Sequence, residues 1–131
     1  MIQVGSIVKV TDKTGVMFAQ CIKVLNNSKI RIAYLGDMVI VSVVRINPRK
    51  FVNVKERWRL KFLRGTVHRG LLVRTKVNIR RASTIYLKFN ENTIIIVTSQ
   101  GVPVSNKVFG PILLELCMKW PSIGCVTGYF L

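Results

Sequence analysis

The stretch GLLVRTKVNIRR, residues 70–81, constrains this chain more than any other. With the two-residue period of a β-strand, Leu71, Val73, Thr75, Val77 and Ile79 fall on one side. Leu72, Arg74, Lys76, Asn78 and Arg80 fall on the other. An aliphatic row turned inward and a cationic row turned outward let one strand sit on a core while touching a polyanion. A catalytic pocket has little use for so many aligned cations with no carboxylate among them. The plain alternative is a solvated Lys/Arg face on an ordinary barrel strand, and the surroundings argue against it.

Charge is concentrated around this stretch. The 131 residues carry 21 Lys and Arg against five Asp and Glu, for a net charge of +16. Residues 45–81 hold thirteen of the bases and one acid, Glu56. Residues 1–44 hold five bases and two acids, and residues 82–131 three bases and two acids. Half of the residues are hydrophobic, which excludes a disordered basic tail. The length fits one domain over residues 1–131, a barrel and ribbon to residue 110 and a helix and tail from 111 to 131. A folded scaffold with so cationic a middle presents a surface to nucleic acid or to an anionic membrane. A membrane partner would want an amphipathic helix or about 20 consecutive apolar residues. The longest aliphatic runs, residues 38–44 and 94–97, have strand length. The expected partner is nucleic acid, with no membrane.

Short extended runs separated by turns recur along the chain. Strands are expected over residues 2–10, 16–25, 30–32, 38–46, 71–79, 85–89 and 93–98. Asp12 and Asp37 read as turn residues, and the almost continuous aliphatic run MVIVSVVRI reads as a strand buried on both faces. Val73, Val77, Ile22, Val24, Val39, Val41 and Ile95 are the expected core. One helix is expected over residues 112–119, with Pro111 in its first turn and Pro121 and Gly124 closing it. Residues 49–69 alternate charged and apolar side chains, with Phe51, Trp58 and Phe62 among the cations. They suit an amphipathic ribbon or a loop ordered by a partner, with Trp58 on a base, a ribose or a neighbouring protein. The alternative is a hairpin whose aromatics pack on the barrel. Many short strands and one terminal helix indicate a mainly β fold, a small closed or nearly closed barrel.

No motif for catalysis emerges. GxxxxGK[ST], GxGxxG, HExxH and GxSxG are absent, and the five acids are scattered. His68 is the single histidine, and Cys21, Cys117 and Cys125 form no CxxC pair, so no zinc site or other cofactor is expected. The cysteines are expected to be small buried hydrophobes in a reducing compartment. Met1-Ile2-Gln3-Val4-Gly5 leads directly into a strand, and the chain is read as mature, without a leader.

Several pieces fall in one order at one spacing. They are Met1-Ile2-Gln3, the Asp12-x-x-Gly15 turn, Cys21-Ile22-Lys23-Val24-Leu25, Gly36-Asp37, Val73-Arg74-Thr75-Lys76, Arg80-Arg81, Phe89-x-x-Asn92, Phe109-Gly110-Pro111 and Glu115-Leu116. Together they resemble ribosomal protein fourteen of the large subunit, a universal family, in its bacterial and organellar form, from Met1 to about Leu116. The resemblance implies a five-stranded β-barrel with a projecting basic β-ribbon and a short C-terminal helical segment. It implies a structural constituent of the large ribosomal subunit that binds large-subunit rRNA. Such a protein lies on the intersubunit face and helps form a bridge to small-subunit rRNA. Ribosomal proteins three and nineteen of the large subunit are its implied neighbours, and the ribosome-silencing factor a possible partner.

The cations expected on rRNA are Lys9, Lys23, Lys29, Arg31, Arg49, Lys50, Arg57, Arg59, Arg64, Arg74, Lys76, Arg80, Arg81 and Lys88. Lys107 and Phe109 are expected at a protein interface, since Lys107 matches a basic position just ahead of the Phe-Gly-Pro turn. Departures from the family pattern are visible. Ala82-Ser83 replaces its Asp-Gly turn, residues 50–69 are longer and carry Trp58 and Phe62, and the tail from Trp120 lacks the usual ending. Such drift, with few Ala and many Ile, Asn, Lys and Phe, points first to a mitochondrial copy and next to a plastid or a reduced bacterium. The competing reading is a free OB-type barrel binding single-stranded nucleic acid off the ribosome. That class would place aromatics on one barrel face, whereas these strands are mostly aliphatic.

Overall fold

The computed structural model describes residues 1–25, 31–51 and 55–131. The first strands are β1 (Ile2–Gln3), β2 (Ile7–Val10), β3 (Val16–Val24), β4 (Ile32–Ala33) and β5 (Met38–Ile46). A 3-10 turn (Pro48–Phe51) and helix α1 (Glu56–Lys61) lead into β6 (Val67–Arg74), β7 (Ile79–Arg80), β8 (Tyr86–Leu87) and β9 (Thr93–Val97). The last elements are β10 (Val108–Ile112), α2 (Leu114–Lys119), α3 (Pro121–Gly124) and β11 (Thr127–Phe130). The fold is mainly β, as expected: β2, β3, β5, β6 and β9 form a closed barrel, β7 and β8 a separate ribbon, and the short helices α2 and α3 lie near the C-terminus. Closure removes the exposed edges that an open sheet would present. The β2–β9 seam is parallel and the other barrel pairings are antiparallel.

Two hydrophobic clusters share the barrel wall. The first holds Val8, Val10, Ala19, Cys21, Val24, Val39, Val41, Val43, Leu72, Ile94 and Ile96. The second holds Leu71, Val73, Ile95 and Val97 with Ile112, Leu113, Leu116 and Ile123 from the C-terminal elements. Alternate residues of β6 and β9 therefore belong to different clusters, and β9 and residues 70–74 of β6 are buried on both faces. This reverses the expectation for residues 70–81. Leu72 joins the inner cluster, while Leu71 and Val73 support the C-terminal layer. The double-sided burial expected of MVIVSVVRI belongs to β6 and β9 instead, because β5 alternates buried and half-buried residues.

Other expectations also move. Ile22 and Val77 are exposed, whereas Val24, Val39, Val41, Val73 and Ile95 are buried. Pro111 lies within β10, and the helix begins only at Leu114; Pro121 opens α3 rather than closing α2. Cys21 is buried as expected, Cys117 is half-buried, and Cys125 is exposed.

Among the described residues of the segment 49–69 no ribbon forms, and Trp58 and Phe62 pack on each other rather than facing a partner as a pair. Trp58 and Phe62 are four residues apart, one turn of α1, and their rings lie 4.9 Å apart. Phe62 is fully buried and stacks on His68 at 4.9 Å, and Trp58 packs against the same inner cluster. The barrel itself thus takes Phe62 whole and leaves Trp58 half-buried. The tail is seated too. Trp120 donates its indole N–H to the Gly36 carbonyl at 3.0 Å, and β11 pairs in parallel with β10. Gly101 (φ +80°) makes room for that indole, since a Cβ there would lie 2.4 Å from the ring.

Candidate nucleic-acid interface

The ribbon carries the cleanest exposed cations. Ile79 pairs with Leu87 and Arg80 with Tyr86. The turn closes by Arg81 N–H to the Ile85 carbonyl at 2.9 Å and Thr84 N–H to the Arg81 carbonyl at 3.2 Å. Thr84 adopts φ +65°, alone among the described non-glycine residues. A β-branched residue there costs about 1–2 kcal/mol, the penalty that an Asp-Gly turn avoids. Arg80, Tyr86 and Lys88 are exposed along this arm, and Lys76 is exposed where it leaves the barrel. The Lys76 backbone N–H donates to Asn92 Oδ1 at 2.9 Å, fixing that exit.

Arg74 does not belong to an outward row. It is 9% exposed, and its Nε donates to Thr93 Oγ1 at 2.9 Å. Its Nη2 donates to the Phe109 carbonyl at 3.2 Å, and Glu91 lies 3.7 Å from Nη1. Burial pulls its pKa down and the Glu91 charge opposes this; an arginine stays charged regardless. Its position at the end of β6, between β9 and β10, makes it a tie between elements. Arg81 is also engaged: its Nε lies 2.8 Å from Glu115 Oε1, and its guanidinium donates to the Leu131 carbonyl. It couples the ribbon to α2 and the terminus. Lys9 is exposed and pairs with Glu91 at 3.2 Å, a surface contact worth under about 1 kcal/mol.

Lys23, Arg31, Arg49, Lys50, Arg57 and Arg64 are exposed. Lys29 and the side chain of Arg59 lie outside the described residues. Lys107 is exposed, and Phe109 is partly so. Lys13 and Arg45 are further exposed cations that the sequence reading left out, and Lys55, Lys61 and Arg69 of the basic segment are exposed as well. Lys13 matters most among them, because its backbone N–H donates to the Lys107 carbonyl at 3.2 Å and brings the two lysines side by side. No local signal carries that pairing, which joins residues far apart in sequence. Lys13 and Lys107 share a groove of about 680 Å³ with Lys50, Trp58, Val104 and Phe109.

Behind this surface lies a buried carboxylate. Asp12 Oδ2 accepts the Ile96 N–H at 2.8 Å, and Oδ1 accepts the Thr14 N–H at 3.2 Å. The last backbone bond of the seam is Thr11 N–H to the Ile94 carbonyl at 3.1 Å. The carboxylate thus supplies one more acceptor to β9 where β2 ends. Asp37, also buried, accepts the Tyr34 N–H at 2.8 Å and lies 3.9 Å from Lys119. Both aspartates sit in turns, as expected, but each is part of the fold's internal bonding.

Burial lowers the pKa of His68, which shares a 3.0 Å hydrogen bond with Thr66 Oγ1. Among the described residues no three His, Cys, Asp or Glu side chains come together as metal ligands would, and no helix is long and apolar enough to cross a membrane. What the arrangement offers is dispersed positive charge on a closed barrel and on the two-stranded ribbon packed beside it. Such a surface grips a phosphate backbone. The sequence model of the ribosomal protein L14p/L23e family matches residues 1–130, taking in the tail as well as the barrel and ribbon, and the chain belongs to that family.

Proposed function

We propose that this chain is held on large-subunit rRNA by the exposed cations of its ribbon and barrel rim. Membership of the ribosomal protein L14p/L23e family is the observation that carries this reading, and it makes the chain a structural, rRNA-binding constituent of the large ribosomal subunit. The residues proposed to meet phosphates are Lys76, Arg80 and Lys88 on and beside the arm, and Lys23, Arg31, Arg49, Lys50, Arg57 and Arg64 elsewhere on the surface, with Lys9 in a lesser role because Glu91 already offsets it. Lys29 and Arg59 join them on their charge alone. Arg74 and Arg81 act on the RNA surface indirectly, through the elements that they tie together.

The finer reading follows the family resemblance. The chain lies on the intersubunit face, helps form a bridge to small-subunit rRNA, and neighbours large-subunit proteins three and nineteen. It offers a docking site to the ribosome-silencing factor. The sequence's departures from the family pattern support an organellar ribosome, a mitochondrial one first. Cosedimentation tests the core of the proposal: the chain should remain with the large subunit through a salt wash that strips loosely bound proteins. Recovery in the free fraction after a mild wash would overturn it.

A further inference from the structure

Two cations approach the Phe109 ring. The residue is 41% exposed, with Lys50 Nζ 5.1 Å and Lys107 Nζ 5.5 Å from the ring centroid. Lys13 stands beside Lys107 through the backbone bond between them. The three lysines line the 680 Å³ groove whose apolar lining comes from Trp58, Val104 and Phe109. That volume lies within the roughly 300–1,000 Å³ of sites that take small ligands. No lining residue is acidic, and among the described residues none of the three lysines has a carboxylate within ion-pair distance. Three ammoniums around one open aromatic surface repel each other, and the carboxylate that couples to one of them, Asp12 to Lys50, is buried behind the groove. An anion in the groove would offset all three.

The anion this groove fits also has a flat face. A duplex backbone alone would use the lysines and leave the Phe109 ring and the edge of Trp58 in water. An acidic peptide would do the same. A nucleotide out of its stack satisfies both, since every base offers a π-face and its phosphates lie within reach of neighbouring cations. We propose that this groove takes one unstacked nucleotide of an RNA bulge or loop, its base on Phe109 and Trp58 and its phosphates on Lys13, Lys50 and Lys107. The proposal rests on the rRNA-binding reading above. It gives Lys107 and Phe109 to RNA, where the family resemblance had placed protein.

The test uses the purified full-length chain and an RNA hairpin carrying a single bulged 2-aminopurine, against the same hairpin fully paired. The bulged hairpin should bind tighter by on the order of tenfold, with its fluorescence quenched on binding. Phe109→Ala should remove both the preference and the quenching while leaving the affinity for the paired hairpin unchanged, and Phe109→Trp should restore them. A Lys13→Ala/Lys107→Ala variant should lower the salt slope for the bulged hairpin by about two. Equal affinity for the two hairpins, or a preference that survives Phe109→Ala, overturns the proposal. So does tight, Phe109-dependent binding of a glutamate decapeptide in place of the bulge, which would mark a protein surface. A chain that binds the paired hairpin with a steep salt slope and ignores the bulge defeats the groove alone. One that binds neither hairpin at low salt defeats the rRNA-binding reading as well.

Discussion

Arg74 and Gly110 are fitted to each other: a Cβ on Gly110 would lie 2.6 Å from Arg74 Nη1. Gly110 also holds φ +86°, and the neighbouring Phe109 carbonyl accepts from Arg74 Nη2 at 3.2 Å. The Phe-Gly-Pro stretch of β10 thus needs glycine for its backbone and again for the guanidinium lying against it. Gly110→Ala is expected to cost about 1–2 kcal/mol for the left-handed backbone alone, and more for the displaced arginine. In an Arg74→Ala background the steric share disappears. The two substitutions together should then cost less than their sum, by about 0.5–3 kcal/mol in denaturation midpoints converted to free energy. Strict additivity would show that the guanidinium and the turn are independent.

Asp12 should reveal itself through pH. Burial raises its pKa above the ordinary carboxylate value, against the lowering effects of its Thr14 and Ile96 hydrogen bonds and of the Lys50 charge. An acid with a raised folded-state pKa binds its proton more tightly folded than unfolded. Its contribution to stability is therefore fully present below the ordinary aspartate pKa and is lost as pH rises through the raised value. The stability of the wild type minus that of Asp12→Asn should fall with pH across that window and then level off. A difference that rises with pH would reverse the assignment. Asp12→Ala should cost about 1–3 kcal/mol, most at low pH, because the Ile96 N–H, bonded at 2.8 Å, loses its acceptor.

Much of the barrel was legible because its strands advertise themselves. β3 and β5 fall at Val16–Val24 and Met38–Ile46, nearly where the aliphatic runs put them. The phase of β6 was not legible. A strand between two apolar layers buries Leu71 and Leu72 alike, so its alternation no longer says which face is the barrel interior. Arg74 misled for a related reason: its partners Thr93, Glu91 and Phe109 come from β9, the turn before it and β10, and no local pattern shows that they converge. α1 hid because Trp58-Arg59-Leu60-Lys61-Phe62 alternates like a strand. The helical signal was present in the four-residue spacing of Trp58 and Phe62, outweighed by the charges between them. The groove around Phe109 was least legible, since Lys13, Lys50 and Lys107 meet only through the fold.

The salt dependence of RNA binding separates cations that touch phosphate from those that hold the fold. Lys76 and Arg80 are exposed and free of carboxylate partners among the described residues, whereas Arg74 is buried among three. Each phosphate contact contributes about 0.9 to the log–log salt slope on duplex nucleic acid. Lys76→Ala/Arg80→Ala should lower the slope by about two and leave the unfolding midpoint nearly unchanged. Arg74→Ala should do the opposite, lowering the midpoint by about 1–3 kcal/mol through the unpaired Thr93 and Glu91 it leaves behind. If Arg74→Ala reduced the slope and spared stability, the buried guanidinium would have to reach RNA after all.

Phe62 decides whether the basic segment folds without RNA. Between Lys50 and Arg69 the chain carries seven further-spaced or adjacent cations (Lys50, Lys55, Arg57, Arg59, Lys61, Arg64 and Arg69) against Glu56 alone. Repulsion on that scale argues for a segment ordered only by RNA. Phe62 argues the other way: it is fully buried in the inner cluster, 4.9 Å from the rings of both Trp58 and His68, and it closes the end of α1. Removing a buried Phe costs about 3–5 kcal/mol, more than the exposed like charges, screened by water and salt, can oppose. In the free protein, amides of α1 should therefore be protected from exchange. Phe62→Ala should lower global stability by about 3–5 kcal/mol and bring α1 amides to near-unprotected rates. Leu60→Ala, at a position 57% exposed, should change either quantity little. Rapid exchange across α1 in the free wild type, slowed only on binding rRNA, would show that charge wins and that Phe62 docks only after the phosphates have arrived.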